Sequence, residues 1–368
     1  MFTDADLREL LDYKAKQPVL SVYLNTDPSQ GSADAYKLRL RSMLKEVDLI
    51  GDVEAVQLYF DHEHDWSGRS VAVFSCQPDG FLRVYSFAVP LRDRVRISDH
   101  PHLKPLADLL DSFGGYGVAL VDKQGARLFY FHLGELREQE GTLGESVRHT
   151  KRGGGSQASS PGRRGGSSGQ TQQGEEVADR NLREAAEFAA HFFTENNVRR
   201  VLIGGTEDNL KPFRSQLPKA WQSLVVGTFP MGMTASQAEV LERALAIGQE
   251  AEQRREVQLV ESVITGTAKG RNGVTGLEAT LSAVHDGRVQ TLLITEGFRA
   301  PGYQCQGCSY LTAHPFETCP FCDNQFTQIT DAVELAVRQV MQSGGEVDVL
   351  HNNQELVEVG KIGALLRY

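Results

Sequence analysis

The sequence has no long apolar run. None approaches the roughly 18 to 20 residues that a helix needs to cross a bilayer. Its first residues, Met-Phe-Thr-Asp-Ala-Asp, are too acidic for a secretory signal peptide. These two absences argue against a membrane protein and against a secreted precursor. We therefore expect a cytoplasmic protein that has no membrane partner.

Positive charge is also in short supply. The 368 residues contain 38 Lys and Arg against 48 Asp and Glu, which gives a formal charge of −10. Because an acidic surface repels nucleic-acid phosphates, we expect no DNA partner, and any RNA contact must be local. The acidic surface is instead available to protein partners. A chain of this length usually folds around more than one hydrophobic core, so two or three domains are expected.

The motifs of several common enzyme classes are missing as well. There is no Gly-x-Ser-x-Gly nucleophile elbow, and the isolated Cys76 has no evident basic partner. The glycines after Ile203 form neither Gly-x-Gly-x-x-Gly nor a P-loop, which favours a structural turn. The stretch His62-Glu-His-Asp65 offers three potential metal ligands, but its polar surroundings favour a solvated turn. Conventional nucleophilic catalysis therefore has no candidate residue.

Cysteine is scarce, and four of the five cysteines stand together as two Cys-x-x-Cys pairs. Each such turn presents two sulfurs to one ion, and paired turns in a cytosolic protein are typical of a zinc ribbon rather than of disulfides. Four thiolates leave no open coordination position, so we expect a structural Zn²⁺ in a ribbon at 301–328. His314, between the pairs, is expected to be exposed. The predicted ligands are Cys305, Cys308, Cys319 and Cys322.

The pattern of apolar residues predicts a multidomain α/β protein with three domains. Residues 1–107 alternate helical and strand-like patterns and form an N-terminal α/β domain. Residues 108–233 form a middle domain, with a helix over about 178–196 and a buried strand at 198–203. Residues 234–368 form a C-terminal domain, which the cysteine pairs interrupt after a buried strand at 289–295.

Residues 146–174 consist almost entirely of Gly, Ser, Gln, Thr and basic residues. This composition cannot bury a core, so the segment is predicted to be flexible. Glycine lets a backbone approach a ligand closely, and loops beyond about 15 residues inside a domain are usually functional or disordered. Composition alone leaves a basic linker as an alternative to an RNA-contacting loop. The segment contains the run Gly153, Gly154, Gly155, Ser156 and Gln157 and the basic residues Arg148, Lys151, Arg152, Arg163 and Arg164.

Three segments together resemble the superfamily of archaeal and eukaryotic class-1 peptide release factors and Pelota, with its divergent bacterial members. Gly-Gly-Gly-Ser-Gln at 153–157 is similar to the Gly-Gly-Gln loop of the middle domain. Asp-Arg-Asn-Leu-Arg-Glu-Ala-Ala-Glu at 179–187 resembles the helix that follows that loop. Gly-Lys-Ile-Gly-Ala-Leu-Leu-Arg-Tyr at 360–368 resembles the end of the third domain, and the inserted ribbon resembles archaeal release factors in particular.

The resemblance implies an RNase H-like middle domain and an α/β/α C-terminal domain with the inserted ribbon. In the family, the loop enters the peptidyl-transferase centre, where the Gln backbone amide helps to position water for attack on the peptidyl-tRNA ester. Gln157 would be the catalytic residue here, with the three glycines and Ser156 as its approach and the basic residues holding ribosomal RNA. The implied partners are the ribosome, peptidyl-tRNA and a translational GTPase.

The first domain contains neither Asn-Ile-Lys-Ser nor another recognisable stop-codon-reading pattern. Together with the extra residue Ser156, this favours ribosome rescue, by peptidyl-tRNA hydrolysis on stalled ribosomes, over codon-specific termination. Two alternatives stay open. One is a hibernation factor that binds the ribosomal A site without chemistry. The other is a quality-control hydrolase that cleaves the tRNA itself, since the loop also resembles the glycine-rich Ser-Gln segment of such enzymes.

Overall fold

The computed structural model describes residues 2–144, 167–314, 316–351 and 353–368. The chain divides into two compact units, one formed by Met1–Ser112 with Gln253–Tyr368 and the other by Phe113–Glu252. Each unit contains its own sheets and helices. The predicted multidomain α/β class is therefore confirmed, whereas the division into three domains after residues 107 and 233 stays a prediction.

The N-terminal part of the first unit is an antiparallel four-stranded sheet in the order β3-β2-β1-β4. Six of the seven β1 residues are buried, because both faces of this inner strand are covered. Leu20, Val22 and Leu24 pack against the helices on one face. The strands are β1 (Val19–Asn25), β2 (Ser70–Cys76), β3 (Phe81–Phe87) and β4 (Arg94–Ser98), and the helices are α1 (Asp4–Asp12), α2 (Ala33–Leu44) and α3 (Ile50–Leu58).

The expected solvated turn at His62-Glu-His-Asp65 is wrong for His64. A π-helical turn, Tyr59–Glu63, follows α3 and turns the next side chain inward, and His64 is only 8% exposed. Its ring lies 5.2 Å from that of Phe60, and its Nδ1 lies 3.2 Å from the Tyr59 hydroxyl. The histidine is therefore a core residue that the polar neighbours in the sequence concealed.

The second unit is a five-stranded sheet in the order β7-β6-β5-β8-β9. The first three strands in that order are antiparallel neighbours, whereas β8 and β9 run parallel to β5. The strands are β5 (Tyr116–Val121), β6 (Gly125–His132), β7 (Glu135–Leu143), β8 (Arg200–Gly205) and β9 (Val225–Pro230). Helix α4 (Lys104–Phe113) precedes β5 in the chain. The helices that follow are α5 (Ser167–Glu195), α6 (Glu207–Gln216), α7 (Lys219–Ser223) and α8 (Gln237–Ala268).

Helices cover both faces of this sheet. On one face, α5 buries Leu182, Ala185 and Phe193, whose helical spacing forms the apolar stripe that the sequence predicted. On the other face, Val240 and Ile247 of α8 pack against alternate residues of β5. The backbone of α5 begins at Ser167, inside the segment expected to be flexible, because a helix anchored by packing extends beyond its packed part at little further cost.

The C-terminal part of the first unit is a four-stranded sheet in the order β10-β16-β11-β15, with a small three-stranded sheet in the order β13-β12-β14. The small sheet lies in the crossover between the parallel strands β11 and β15, so the predicted interruption by the cysteine pairs is confirmed. The strands are β10 (Gly273–Thr275), β11 (Val289–Thr295), β12 (Gly302–Cys305), β13 (Leu311–Thr312), β14 (Phe326–Ile329), β15 (Glu346–Leu350) and β16 (Ile362–Leu366). The helices are α9 (Leu277–His285), α10 (Ala332–Gln342) and α11 (Gln354–Glu358).

The glycines of the C-terminal motif have structural roles. Gly360 has φ of 109°, a backbone conformation that a side chain disfavours, and it turns the chain into the inner strand β16. A Cβ on Gly363 would lie 2.9 Å from the Val274 carbonyl oxygen of the neighbouring strand. The motif at 360–368 therefore reflects the packing of this sheet.

Two helices exceed the length needed to cross a bilayer, since α5 has 29 residues and α8 has 32. Charged residues recur throughout both. Within the described ranges, no helix is both long and apolar enough to span a membrane.

A buried ionic network ties residues 102–104 to α10 within the first unit. Glu334 is 3% exposed, and its carboxylate lies 2.8 Å from His102 Nδ1 and accepts a hydrogen bond of 2.7 Å from the Leu103 amide. Lys104 Nζ lies 3.1 Å from the carboxylate of Asp331, which caps α10. Burial raises the pKa of Glu334, but the attraction of His102 and Lys104 outweighs it and lowers that pKa to about 2.

We expect Glu334→Gln to destabilise the first unit by about 3–5 kcal/mol, because it removes one partner from a buried ionic network. Trp66 lies in this unit, so its fluorescence during urea unfolding of a Trp221→Phe chain measures the effect. Since the folded-state pKa of Glu334 is depressed, the difference in unfolding free energy between the variant and wild type is present above about pH 4.5. It is lost as the pH falls through about 2. The exposed Glu355→Gln serves as control; an equal, small loss in both variants would contradict the assignment.

Candidate functional site

The segment singled out by the sequence, residues 145–166, joins β7 to α5. The structure describes its two ends. Its predicted catalytic and RNA-binding residues lie outside the described residues: Arg148, Lys151, Arg152, Gly153, Gly154, Gly155, Ser156, Gln157, Arg163 and Arg164.

The first end of the segment, Gly144, is bonded to the turn between β5 and β6. Its amide donates a hydrogen bond of 2.6 Å to the Gln124 carbonyl oxygen. The turn is held in shape by Asp122, whose Oδ1 accepts from the amides of Gln124 at 2.7 Å and Gly125 at 3.0 Å. Such Asx turns are stable because the side chain satisfies the backbone amides of the turn. The end of β7 is therefore fixed to a rigid hairpin.

Helix α5, which follows the segment, is fixed to the same hairpin through Asn181, 14 residues after the helix begins at Ser167. Asn181 is 2% exposed, and its Nδ2 donates a hydrogen bond of 3.0 Å to the Lys123 carbonyl oxygen. A Cβ added to Gly144 would lie 2.2 Å from Asn181 Oδ1, so only glycine permits this approach. The strand that enters the segment and the helix that leaves it thus meet at one turn, which we call the loop base: residues 122–125, Gly144 and Asn181.

We expect Asn181→Ala to lower the free energy of unfolding of the second unit by about 0.5–1.5 kcal/mol, because it removes the buried side-chain amide that donates to the Lys123 carbonyl oxygen. Trp221 packs on Phe193 of α5, so its fluorescence in a Trp66→Phe chain reports urea unfolding of this unit. The control is Asn196→Ala, at the other end of α5, where the amide bonds a carbonyl of its own helix. A loss no larger than that of the control would show that the loop base does not depend on Asn181.

The four predicted cysteines form the candidate metal centre. Their sulfur atoms all lie within 4.8 Å of one another. The Sγ atoms of Cys305 and Cys322 are 3.3 Å apart, and those of Cys308 and Cys319 are 3.6 Å apart. A tetrahedral ion with Zn–S bonds of about 2.3 Å would separate its sulfurs by about 3.8 Å. The cluster therefore has the size and the donor set needed to hold a metal ion.

Neighbouring N–H groups point at the sulfurs. The Gly307 amide donates to Cys305 Sγ at 3.3 Å, and Asn324 Nδ2 donates to Cys322 Sγ at 3.4 Å. The hydrogen bonds from Asn324 lower the pKa of the Cys322 thiol to about 6. Because metal ions bind thiolates rather than thiols, these donors favour the form of the side chain that binds a metal.

The cysteine ribbon has little apolar core of its own. The buried Cys305 and Cys319 pack with Tyr310, whose ring lies 4.9 Å from that of Phe321. His314 is not a member of the cysteine group, as expected, and its amide bonds the Thr312 hydroxyl. A fold held by so few apolar contacts depends on its sulfur cluster for stability.

Comparisons with known proteins agree with the resemblance read from the sequence. Residues 101–249 match the family described as bacterial archaeo-eukaryotic release factor family 10, and this match includes the whole segment 145–166. The chain is 26% identical over 188 residues to peptide chain release factor subunit 1 of Archaeoglobus fulgidus, covering 46% of each protein. Over residues 101–249 the chain is release-factor-like. The alignment spans a little under half of that relative's length.

Solved structures with some likeness come from the same group. A chain of the structure described as ribosome-bound archaeal Pelota and ABCE1 is 14% identical, with coverage of 100% and 94% and a TM-score of 0.41. The archaeal translation termination factor aRF1 is 16% identical, with coverage of 98% and 96% and a TM-score of 0.26. Dom34 of S. cerevisiae is 10% identical, with coverage of 81% and 79% and a TM-score of 0.39. At these identities and TM-scores, the structural likenesses carry no argument about function.

The sequence did not indicate the loop base. Asn181 lies inside the helix motif at 179–187, but a helix pattern gives no sign that one amide reaches a turn far away in the chain. The usable signal was Asp122, since Asp at the start of Asp-Lys-Gln-Gly is typical of an Asx turn. Gly144, just before the glycine-rich segment, resembled the glycines within it.

Proposed function

We propose that the protein is a ribosome-associated rescue factor that hydrolyses peptidyl-tRNA on stalled ribosomes. One observation carries the proposal: the match to a release factor family over residues 101–249 includes Gly-Gly-Gly-Ser-Gln at 153–157. The relative from Archaeoglobus fulgidus is itself described as a peptide chain release factor subunit. The absence of Asn-Ile-Lys-Ser from the first domain favours rescue over stop-codon reading.

In the proposed reaction, a water molecule attacks the ester carbonyl carbon that joins the peptide to the tRNA. The tetrahedral intermediate carries a developing oxyanion, and the bond to the 3′ oxygen of the tRNA then breaks to release a peptide carboxylate and a free tRNA hydroxyl. The Gln157 backbone N–H is the proposed donor to the oxyanion. Such a donor needs no titratable group, and removing one donor typically costs about 3 kcal/mol of barrier lowering.

The loop base supports this role. A segment that enters a confined RNA site must be long and locally adaptable, yet it must be attached to a fixed place. Gly144, just before the segment, and Asn181, within the helix that follows it, are both bonded to the hairpin at 122–125. Arg148, Lys151, Arg152, Arg163 and Arg164 are the proposed contacts to ribosomal RNA phosphates, because the chain as a whole is acidic.

The finer domain assignments are proposals as well. The strand order of the second unit, with three antiparallel strands followed by two parallel ones, supports an RNase H-like middle domain. The C-terminal domain, at 234–368, is proposed to contain a zinc ribbon, with a Zn²⁺ ion held by the four cysteines in a structural role. Four cysteine ligands leave no coordination position for a substrate.

A translational GTPase is the proposed protein partner of the C-terminal domain. The proposal rests on the resemblance of residues 360–368 to the end of the third domain of release factors and on the acidic character of the chain. Co-purification of the chain with the translational GTPases of its own cell is the test. Failure to recover any of them with GTP or its analogues present would contradict this partner.

The test of the main proposal uses purified ribosomes that hold peptidyl-tRNA on a message without a stop codon. We expect peptide release with an intact tRNA 3′ end, and equal release when a sense codon or a stop codon occupies the A site. Release only at a stop codon would indicate termination, and a shortened tRNA would indicate nuclease action. Co-sedimentation with ribosomes and no release would favour a non-catalytic A-site-binding hibernation factor, for which the extra Ser156 is the sequence support.

A further inference from the structure

The edge of the N-terminal sheet carries an arginine group in an otherwise acidic chain. Arg94 and Arg96 lie on β4, which is the last strand in the order β3-β2-β1-β4. Alternate residues of a strand project from the same face, so both side chains leave β4 on one face. In the register of the sheet, Arg94 is opposite Tyr23 and Arg96 is opposite Ser21. The two arginines therefore share the face of Ser21 and Tyr23.

This face is the one covered by the segment before α4. The Tyr23 hydroxyl donates to the His102 carbonyl oxygen, and Ser21 Oγ accepts from the His102 amide at 3.0 Å. Close by, Arg299 Nε donates to Asp331 Oδ2 at 3.0 Å. Three guanidinium groups, on β4 and on the segment after β11, therefore belong to one region of the first unit.

Carboxylates do not neutralise these arginines fully. Asp331 is shared between Arg299 and Lys104, so one negative charge serves two positive ones. The side chain of Arg94 forms no hydrogen bond or ion pair with any residue that the structure describes. Arg96 Nη1 donates only to the carbonyl oxygen of Val95, and its Nε is buried without a hydrogen-bond partner among the described residues.

The mutual repulsion of the three groups is an independent sign of their proximity. Burial lowers the pKa of Arg96, the neighbouring charges of Arg299 and Arg94 lower it further, and the charges of Asp331 and Glu334 offset this only in part. Like charges gathered in this way cost free energy in the free protein, and an anion that binds between them removes that cost. Guanidinium groups suit phosphate oxygens in particular because they donate paired, parallel hydrogen bonds.

We propose that Arg94, Arg96 and Arg299 form a binding site for the phosphodiester backbone of RNA. The site is partly open: the Arg299 side chain is 44% exposed, and Arg94 and Arg96 are half-buried on an edge strand. An open edge suits a polymer that lies along it better than a small anion that needs enclosure. The choice of RNA rests on the proposed function, whereas the phosphate chemistry of the site does not.

The experiment measures binding of the full chain to a short fluorescein-labelled single-stranded RNA by anisotropy over a range of salt concentrations. The double variant Arg94→Gln, Arg96→Gln is expected to bind about tenfold more weakly or worse. Its slope of log K against log salt should fall in magnitude by about 1.4, since each single-strand phosphate contact contributes about 0.7. The matched control is Arg83→Gln on β3, the opposite edge of the same sheet.

A second variant, Arg94→Lys, Arg96→Lys, separates binding from folding. It keeps both charges, so the salt slope should stay near that of wild type while the affinity falls in part with the lost paired hydrogen bonds. Unchanged affinity and slope in the Gln variant, or an equal loss in Arg83→Gln, would overturn the proposal. Competition by millimolar inorganic phosphate as effective as that by unlabelled RNA would overturn the assignment to RNA.

These outcomes are distinct from those of the peptide-release test. A chain that binds RNA through the three arginines and releases no peptide would retain this site and lose the proposed activity. If the Arg94→Gln, Arg96→Gln variant releases peptide as fast as wild type and binds RNA as tightly, the proposed activity stands and this site does not.

Discussion

Replacing Gln157 by Ala is expected to slow peptide release from stalled ribosomes by about 100- to 1,000-fold, as much as the loss of one oxyanion donor, because the donor is then no longer held in position. The variant keeps the backbone N–H but loses the side chain that positions it at the peptidyl-tRNA ester. Glycine leaves the chain free to adopt many conformations, so the residues that follow the three glycines, Gln157 among them, must supply the position. The measurement is the single-turnover rate of release, with co-sedimentation on ribosomes measured in parallel.

Two controls make this result specific. Gln170→Ala changes another glutamine of the same glycine-rich stretch, and it should release peptide at the wild-type rate. Ser156→Ala tests the extra residue, and it should reduce release less than Gln157→Ala does. Equal ribosome binding by all three variants would separate chemistry from docking. If Gln157→Ala and Gln170→Ala release peptide equally fast, Gln157 does not have the proposed role.

Loss of one cysteine ligand is expected to have the second large effect. Cys319→Ser should weaken zinc binding by more than about 100-fold, because even changes to residues around metal ligands cost 10- to 100-fold. The ribbon should then open, since metal binding supplies the folding free energy of small metal domains, about 10–16 kcal/mol in zinc-finger peptides. The measurements are metal content by mass spectrometry and hydrogen exchange of residues 302–329.

Cys76 provides the matched control for this experiment. It is fully buried in the N-terminal sheet and lies outside the cysteine group. Cys76→Ser should keep its zinc and the slow exchange of the ribbon. Residues 113–252 should exchange as in wild type in both variants, because they form a separate unit. Undiminished zinc and unchanged exchange in Cys319→Ser would contradict the assignment of the ligands.

Local chemistry accounts for the parts of the fold that the sequence predicted. The spacing of the two Cys-x-x-Cys pairs was sufficient to predict the cluster, because a short turn fixes the distance between two sulfurs whatever surrounds it. The helix predicted at about 178–196 and the strand predicted at 198–203 were visible for the same reason, since periodicity depends on local geometry alone. The glycine-rich segment was recognised by composition.

The missed features depend on contacts between residues far apart in the chain. β7 was not recognised, because it forms an edge of its sheet and its sequence, Glu-Leu-Arg-Glu-Gln-Glu-Gly-Thr-Leu, is mostly polar. Glu334 looked like any glutamate of a helix surface, yet it is buried beside His102. Arg94 and Arg96 looked like exposed residues of a strand, and only the fold brings Arg299 to them. No local pattern distinguishes such residues from solvated ones.

The most direct test of the proposed peptidyl-tRNA hydrolysis is a time course of peptide release by the wild-type chain and by Gln157→Ala. Both would act on the same purified ribosomes with peptidyl-tRNA on a message without a stop codon. We expect wild type to release the peptide and to leave the tRNA 3′ end intact. We expect Gln157→Ala to release almost none at equal ribosome occupancy. Ribosome binding by the wild-type chain without any release of peptide would contradict the proposed hydrolysis.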